Sequence, residues 1–481
     1  MNKSIVFHYL SKAMIIGAAL LLAPAAVSLY YSETETALTF LFVAVCVALF
    51  FTPLAVLKPK NKQIYAKEGL VIVALMWILY PAVGALPFYI SGEIPHFVDA
   101  LFESVSGFTT TGSSILSDVE ALSRGMLFWR SFTHWIGGMG VLVLVIAILP
   151  SSSNALPLMQ AECSGPKVGK IVPKGKLSAV YLYIIYGFIT AVTIILLLIG
   201  DMPLYDSVCH AFGVVGTGGF SIKNTGIAFY NSAYIEGVLT GAVLACGVNF
   251  SLYYYLLIRR FKEVFKNTEL RVYFGIVAVA TALIAVNIYP IYESAGKSFR
   301  YAIFEVATIL TSTGFTLQDF CTWPVFSQTL IIVMMFIGAC AGSTGGGFKV
   351  QRVVVMFKSA GKNINKILHP KSVNVVKSEE KAMDVKVVHG IHNYLIIYVF
   401  LWFISLLLVS LNNIGFQENF SAVTSCFNNI GPGLGRIGPT SNFGLFSDLS
   451  KSVLMVDMLL GRLEIFPILI LFSPSVWRKS I

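Results

Sequence analysis

Charge is what this chain lacks most. Only 12% of its 481 residues are Asp, Glu, Lys or Arg, about half the roughly 25% of a soluble domain, while 56% are hydrophobic. A large soluble protein would need far more charge between its apolar runs, so that class is excluded. The seven cysteines, Cys46, Cys163, Cys209, Cys246, Cys321, Cys340 and Cys426, show neither metal-ligand spacing nor a disulfide framework and read as packing residues. Histidines are equally scattered; His389 and His392 make an H-x-x-H pair beside an apolar run and read as interfacial. H-E-x-x-H, G-x-S-x-G and P-loop patterns are missing, so protease, esterase and nucleotidase chemistry have no basis here. The chain is read as a non-enzyme with no organic cofactor.

What is present is a series of apolar runs of about 20 residues, each able to cross hydrocarbon as a helix. Spans are expected near Ala13–Tyr30, Leu38–Val56, Gly69–Tyr89, Phe128–Leu149, Ala179–Ile199, Ile235–Ile258, Val272–Ile291, Val325–Met356, His392–Leu411 and Ser452–Phe472. Lys3, Lys12 and the small residues Ala23–Ala26 imitate a secretory leader, but the uncharged run is longer than a leader's apolar region, and a retained helix is expected. The segments Lys58–Glu68, Glu162–Lys176, Arg259–Arg271 and Lys349–Lys386, with both termini, hold 26 of the 34 basic residues and only 7 of the 24 acidic ones. The positive-inside bias makes these segments and both termini cytoplasmic. The net charge of +10 then needs no nucleic-acid partner, and the opposite mouth, richer in carboxylates, would concentrate cations.

Four short segments repeat: Thr109-Thr110-Thr111-Gly112-Ser113-Ser114, Gly216-Thr217-Gly218-Gly219-Phe220-Ser221, Thr311-Ser312-Thr313-Gly314-Phe315-Thr316 and Asn428-Asn429-Ile430-Gly431-Pro432-Gly433. Each follows a stretch too short to span a bilayer and precedes a long apolar run. Aligned on Gly112, Gly219, Gly314 and Gly431, they share a small residue six positions earlier, namely Ser106, Gly213, Thr308 and Ser425. Thirteen positions earlier come Asp99, Asp206 and Glu418, with Tyr301 breaking the pattern. Short helices are expected at about Phe97–Gly107, Leu204–Gly213, Ser298–Leu310 and Gln417–Asn428, with a carboxylate at three of the positive helix starts. Their negative ends would face a common axis. Polar irregular backbone at membrane depth is tolerated only inside protein or around water. Four such loops around one axis would offer a ring of carbonyls to a dehydrated cation.

Two further features stand out. The run Val325–Met356 is too long for a plain span and contains Gly342-Ser343-Thr344-Gly345-Gly346-Gly347, whose glycines disfavour helix by about 1 kcal/mol each. It reads either as a kink or packing site, or as a mobile loop within the membrane. Arg462 lies about 16 Å into the last predicted span, at about 1.5 Å per residue. A charge there costs at least ~2.5–3.5 kcal/mol unless it meets water or a partner. It reads either as one half of an ion pair or as a barrier to cations in the pathway.

The motifs Ser106-Gly107-Phe108-Thr109-Thr110-Thr111-Gly112, Gly218-Gly219-Phe220-Ser221, Thr311-Ser312-Thr313-Gly314-Phe315 and Asn429-Ile430-Gly431-Pro432-Gly433, with Met458-Leu459-Leu460-Gly461-Arg462-Leu463-Glu464, resemble the Trk/Ktr/HKT superfamily of potassium transporters. Within it the chain is similar to the bacterial TrkH/TrkG group. The resemblance covers essentially the whole chain. It implies an all-α polytopic membrane protein, with a helix pair at 1–57 and four helix–pore-loop–helix repeats at 58–166, 167–266, 267–388 and 389–481. It also implies potassium as the transported ion, held by Thr110, Thr111 and Gly112; Thr217, Gly218 and Gly219; Ser312, Thr313 and Gly314; and Asn429, Ile430 and Gly431. In plant relatives a serine at the first filter glycine goes with sodium preference; here all four positions are glycine, which argues for potassium. Gly342, Ser343, Thr344, Gly345, Gly346, Gly347 and Arg462 would form the gate. A bacterial inner-membrane location, a homodimer with one pore per subunit and a cytosolic nucleotide-binding TrkA-type regulatory subunit are implied as well. The competing expectation is a transporter coupling potassium to protons or sodium.

Overall fold

The computed structural model describes residues 1–57, 59, 65–140, 175–371, 375–378 and 381–477. Among them the chain is helical throughout, apart from a two-residue antiparallel pairing in which Lys377 faces Ala382. Among the described residues six helices are long and apolar enough to cross a membrane, or seven if one sharply bent pair counts as a single span.

The N-terminal run forms α1 (Lys3–Leu20) and α2 (Leu22–Tyr30), antiparallel to α3 (Thr34–Val56). Then come α4 (Ala66–Ile90), the short α5 (Phe97–Phe108) and α6 (Arg124–Gly138). Tyr80 on α4 donates its hydroxyl to the Ala13 carbonyl at 2.6 Å, fixing α1 against the bundle. The Glu33 carboxylate accepts from the first backbone N–H groups of α6, Arg124 at 2.8 Å and Gly125 at 2.9 Å, satisfying donors a helix start leaves open. The expected span Phe128–Leu149 is helical through Gly138; from residue 141 onward it lies outside the described residues, as does the basic segment Glu162–Lys176 up to residue 174.

Next follow α7 (Gly175–Ile199), the short α8 (Leu204–Val215), and α9 (Ala233–Cys246) with α10 (Phe250–Leu257). Ile235–Ile258, expected as one span, is bent by 92° between α9 and α10. Asn249 stabilises the restart, its side chain accepting from Ser251 N at 2.9 Å. After α11 (Phe261–Lys266) come α12 (Thr268–Tyr292), the short α13 (Ala295–Leu310), and α14 (Val325–Ile337), which stops at Gly338 with φ 74°. The chain is irregular until α15 (Val350–Leu368), so Val325–Met356 is interrupted over a wider stretch than its glycine cluster marks. Last come α16 (Val385–Ser410), the short α17 (Phe416–Phe427), α18 (Asp448–Arg462) and α19 (Phe466–Leu471). The final expected span therefore breaks immediately after Arg462, where Glu464 and Ile465 take positive φ of 57° and 68°. That corrects its reading as continuous.

Polarity is distributed inside out. Phe42, Leu49 and Phe50 on α3, Val286 on α12, and Phe400 and Leu407 on α16 are exposed. Glu103, Arg130, His134, His210, Glu305, Asn428, Asn429 and Asp457 are buried. An apolar exterior around a polar interior suits a molecule whose outer solvent is lipid.

Candidate functional site

The four short helices end in the same way. At each C-terminus one residue adopts left-handed φ: Thr110 at 55°, Thr217 at 55°, Ser312 at 57° and Asn429 at 55°. The next residue's N–H reaches back to a carbonyl five positions earlier: Thr111 to Ser106 (2.9 Å), Gly218 to Gly213 (2.7 Å), Thr313 to Thr308 (2.7 Å) and Ile430 to Ser425 (3.0 Å). This is the Schellman closure of a helix, and it gives the shared small residues their role as crowded acceptors. Left-handed φ at a residue with a Cβ costs about 1–2 kcal/mol, and here it is held four times over by identical bonding.

Two residues on, Gly112, Gly219, Gly314 and Gly431 also have positive φ, from 75° to 108°. The sign of φ therefore alternates along each three-residue segment. The glycines themselves fix the closure. A Cβ added at Gly112 would stand 2.1 Å from the Gly218 oxygen, at Gly219 1.9 Å from Thr313 O, at Gly314 1.8 Å from Ile430 O, and at Gly431 2.9 Å from Thr111 O. Each segment thus leans on the carbonyl of the next, and the fourth returns to the first. The result is a closed ring, the first two residues of each segment buried and Gly112, Gly219 and Gly314 partly exposed.

Several side chains of the ring are tied to their neighbours. Thr111 Oγ1 lies 2.8 Å from Thr109 Oγ1, as Thr313 Oγ1 does from Thr311 Oγ1, while Asn429 Nδ2 donates to Thr111 Oγ1 at 3.0 Å and to Met458 O at 2.8 Å. The four glycines open on one side into a cavity of about 670 Å³, also lined by Arg130, Lys223 and Asp319. The immediate rim is therefore mixed in sign.

Below the opposite end sits the irregular stretch between α14 and α15. Gly346 N donates to Ser312 Oγ at 2.5 Å, and a Cβ at Gly345 would lie 2.6 Å from Thr311 O. Two bonds tie this loop to the bend between α9 and α10: Cys340 N to Gly247 O (3.1 Å) and Phe250 N to Gly342 O (3.0 Å). Ser343 Oγ donates to Cys340 O at 2.6 Å, and Thr344 Oγ1 to Cys246 O at 3.3 Å. Glycines at 338, 342 and 347 take positive φ, which lets the backbone turn back on itself.

Arg462 joins the loop to the rest of the ring's base. Nη1 donates to Thr344 O at 2.7 Å, and Nη2 to Gly137 O and Gly138 O at 2.6 Å each. These last two are carbonyls at the negative end of α6, where a cation is favoured. Glu464 pairs instead with Arg352, and Asp457 accepts from Ser405 Oγ at 2.5 Å.

Several buried groups around the ring were not singled out from the sequence. Arg130 Nε donates to Glu103 Oε1 at 2.7 Å and Nη1 to Ser221 O at 3.1 Å, bracing the first segment against the second. His134 Nδ1 lies 2.8 Å from Gly107 O, and its Nε2 accepts from Phe220 N at 3.2 Å. Glu269 Oε1 accepts from Ala341 N (2.6 Å) and Gln351 N (3.2 Å), holding both feet of the loop. Lys349 Nζ donates to Gly345 O. One signal was available: Glu103 and Glu305 each lie nine residues before their aligned glycines, and both accept the N–H three residues after them.

Comparison with known proteins agrees with this architecture. The chain is 34% identical over 424 residues to the Trk system potassium uptake protein TrkH of Salmonella typhimurium, covering 87% of each. It is 32% identical over 471 residues to the TrkG protein of Escherichia coli K12, covering 95% of each. The crystal structure of the potassium transporter TrkH from Vibrio parahaemolyticus superposes with a TM-score of 0.89 at 29% identity, over 99% of this chain and 100% of that one. These relatives are membrane transporter subunits rather than enzymes. The profile of the TrkH family, described as cation transport proteins, matches residues 38–479, and the chain belongs to that family.

Proposed function

We propose that this protein is the potassium-selective, channel-like membrane subunit of a bacterial Trk-type uptake system. The observation that carries the reading is the closed ring of four glycine segments, each packed on the next one's carbonyl. Carbonyl rings replace a cation's hydration shell, and the ring's outer end meets an open cavity while its inner end meets the loop. The permeant potassium would be held by the carbonyls of Thr110–Gly112, Thr217–Gly219, Ser312–Gly314 and Asn429–Gly431. The four repeats that supply these segments are 58–166, 167–266, 267–388 and 389–481.

The loop Gly342–Gly347 and Arg462 are the gate in this reading. Seated, the loop lies directly under Thr311 and Ser312, and the guanidinium bridges it to α6. Opening requires the loop to leave, driven by a cytosolic nucleotide-binding partner acting on a homodimer in the inner membrane, with both termini cytoplasmic. A coupled transporter would use buried carboxylates as ion or proton carriers. Asp457 and Glu464 are instead engaged with Ser405 and Arg352, far from forming a cluster.

Flux of rubidium into liposomes holding the purified chain tests the proposal. Uptake should follow the potassium gradient alone and persist when proton and sodium gradients are collapsed. Uptake that stops on collapsing either gradient would make the protein a coupled transporter.

A further inference from the structure

The loop beneath the ring bonds to one of the ring's own side chains. Gly346 N–H donates to Ser312 Oγ at 2.5 Å, and Ser312 is the first of the three residues that the third segment gives the ring. At the equivalent place in the other segments the side chain is used differently. Thr217 Oγ1 donates to Gly216 O at 2.7 Å, Asn429 Nδ2 to Thr111 and Met458, and Thr110 Oγ1 has no hydrogen-bond partner. Of these four side chains, Ser312 is the one that accepts from the loop.

That contact has an electrostatic consequence. The innermost level of the ring is formed by Thr110, Thr217, Ser312 and Asn429, all with φ between 55° and 57°. Seating the loop brings the Gly346 N–H dipole, positive end first, to this level and occupies the hydroxyl oxygen of Ser312. Arg462 on α18 holds Thr344 O, and Lys349 at the start of α15 holds Gly345 O, so the loop is seated against two cationic side chains. A cation at the innermost level is repelled by each of these, and most strongly where water is excluded.

We propose that seating of the loop on Ser312 and occupancy of the innermost ring level by potassium oppose each other, so that the permeant ion itself favours opening. This rests on the loop being the gate. Coupling between two sites is reciprocal: if the seated loop weakens potassium binding there, bound potassium weakens the loop's seat by the same factor. The bond from Gly346 to Ser312 is the part of that coupling that one substitution removes. Ser312→Thr keeps it, because Thr110 and Thr217 already occupy the same left-handed backbone in their segments.

Two measurements on the full chain test this. In planar bilayers with symmetric potassium chloride, and N-methylglucamine holding ionic strength constant, the parent's open fraction should rise with potassium. Ser312→Ala should open about five-fold more at low potassium, the worth of one hydrogen bond, with a flattened potassium dependence. Ser312→Thr should keep the parent's dependence. Amide hydrogen exchange around Gly346 needs no transport: it should quicken in the parent when potassium replaces N-methylglucamine, and be fast in both for Ser312→Ala. Exchange around Gly346 that ignores potassium overturns the proposal, as does Ser312→Ala with the parent's potassium dependence. Alanines at 345–347 that change opening while Ser312→Ala keeps that dependence sink the coupling alone; alanines without effect on opening sink the gate as well.

Discussion

Gly112 has φ 80°, and a Cβ on it would stand 2.1 Å from Gly218 O. Serine there is opposed twice, by the left-handed backbone and by the neighbouring carbonyl, so the ring must widen at that point. Gly112→Ser is expected to raise sodium passage relative to potassium, measured as a shift in reversal potential under bi-ionic conditions; an unshifted potential would show that the ring does not set selectivity. Arg462 tests the other end. Its guanidinium donates to carbonyls of the loop and of α6, and in the proposed gate it would both latch the loop and repel a cation. Arg462→Ala and Arg462→Gln should increase rubidium uptake per folded molecule, with Arg462→Lys closer to the parent. Lower uptake in well-folded Arg462→Ala would make the residue a structural brace. Arg130 makes such a brace elsewhere: it and Glu103 are 2% and 1% exposed. Removing one partner of a buried pair costs about 3–5 kcal/mol, so Arg130→Ala should lower the melting temperature markedly, read by a thermal shift in detergent.

The loop between α14 and α15 is where an element-level substitution acts. Alanine at 345 would place its Cβ 2.6 Å from Thr311 O, and alanine at 346 2.6 Å from Asn428 O. Replacing Gly345–Gly347 by alanines therefore does more than favour helix: it pushes the loop off the ring. The open fraction should rise while the sodium-to-potassium ratio stays at the parent value. A shifted ratio with unchanged opening would assign the loop to the selectivity filter instead. At this scale the sequence was a good guide to the short helices, whose bounds Phe97–Phe108, Leu204–Val215, Ala295–Leu310 and Phe416–Phe427 lie within three residues of those expected. Their ends are written locally, in a small acceptor residue and a left-handed position. The 92° bend after Cys246 was not legible, because Gly247-Val248-Asn249 is an unremarkable break within an apolar run. What holds it are bonds to the loop roughly 90 residues later in the chain. The same distance effect hid the end of α18: Arg462 reads as mid-span until the turn at Glu464 and Ile465 is seen.

Across the whole molecule, periodicity and glycine spacing carried the architecture, because a bilayer enforces span length and a fourfold ring enforces register. Pairings such as Glu103 with Arg130, or Arg462 with Gly137 and Gly138, depend on how distant helices meet, and no local pattern announces them. Orientation is a separate inference drawn from basic residues, and it can be tested as one. The cavity beyond the glycines is lined by Asn224 and Thr225, whereas α11 (Phe261–Lys266) carries Lys262, Glu263 and Lys266 in the basic stretch Arg259–Arg271. By the positive-inside bias these two places lie on opposite sides of the membrane. In intact cells, and with the native cysteines replaced, Asn224→Cys should react with a membrane-impermeant thiol reagent added outside. Lys262→Cys should react only after permeabilisation. If the labelling is reversed, the ring opens toward the cytoplasm, the loop and Arg462 face outward, and a cytosolic subunit has nothing to act on at the gate.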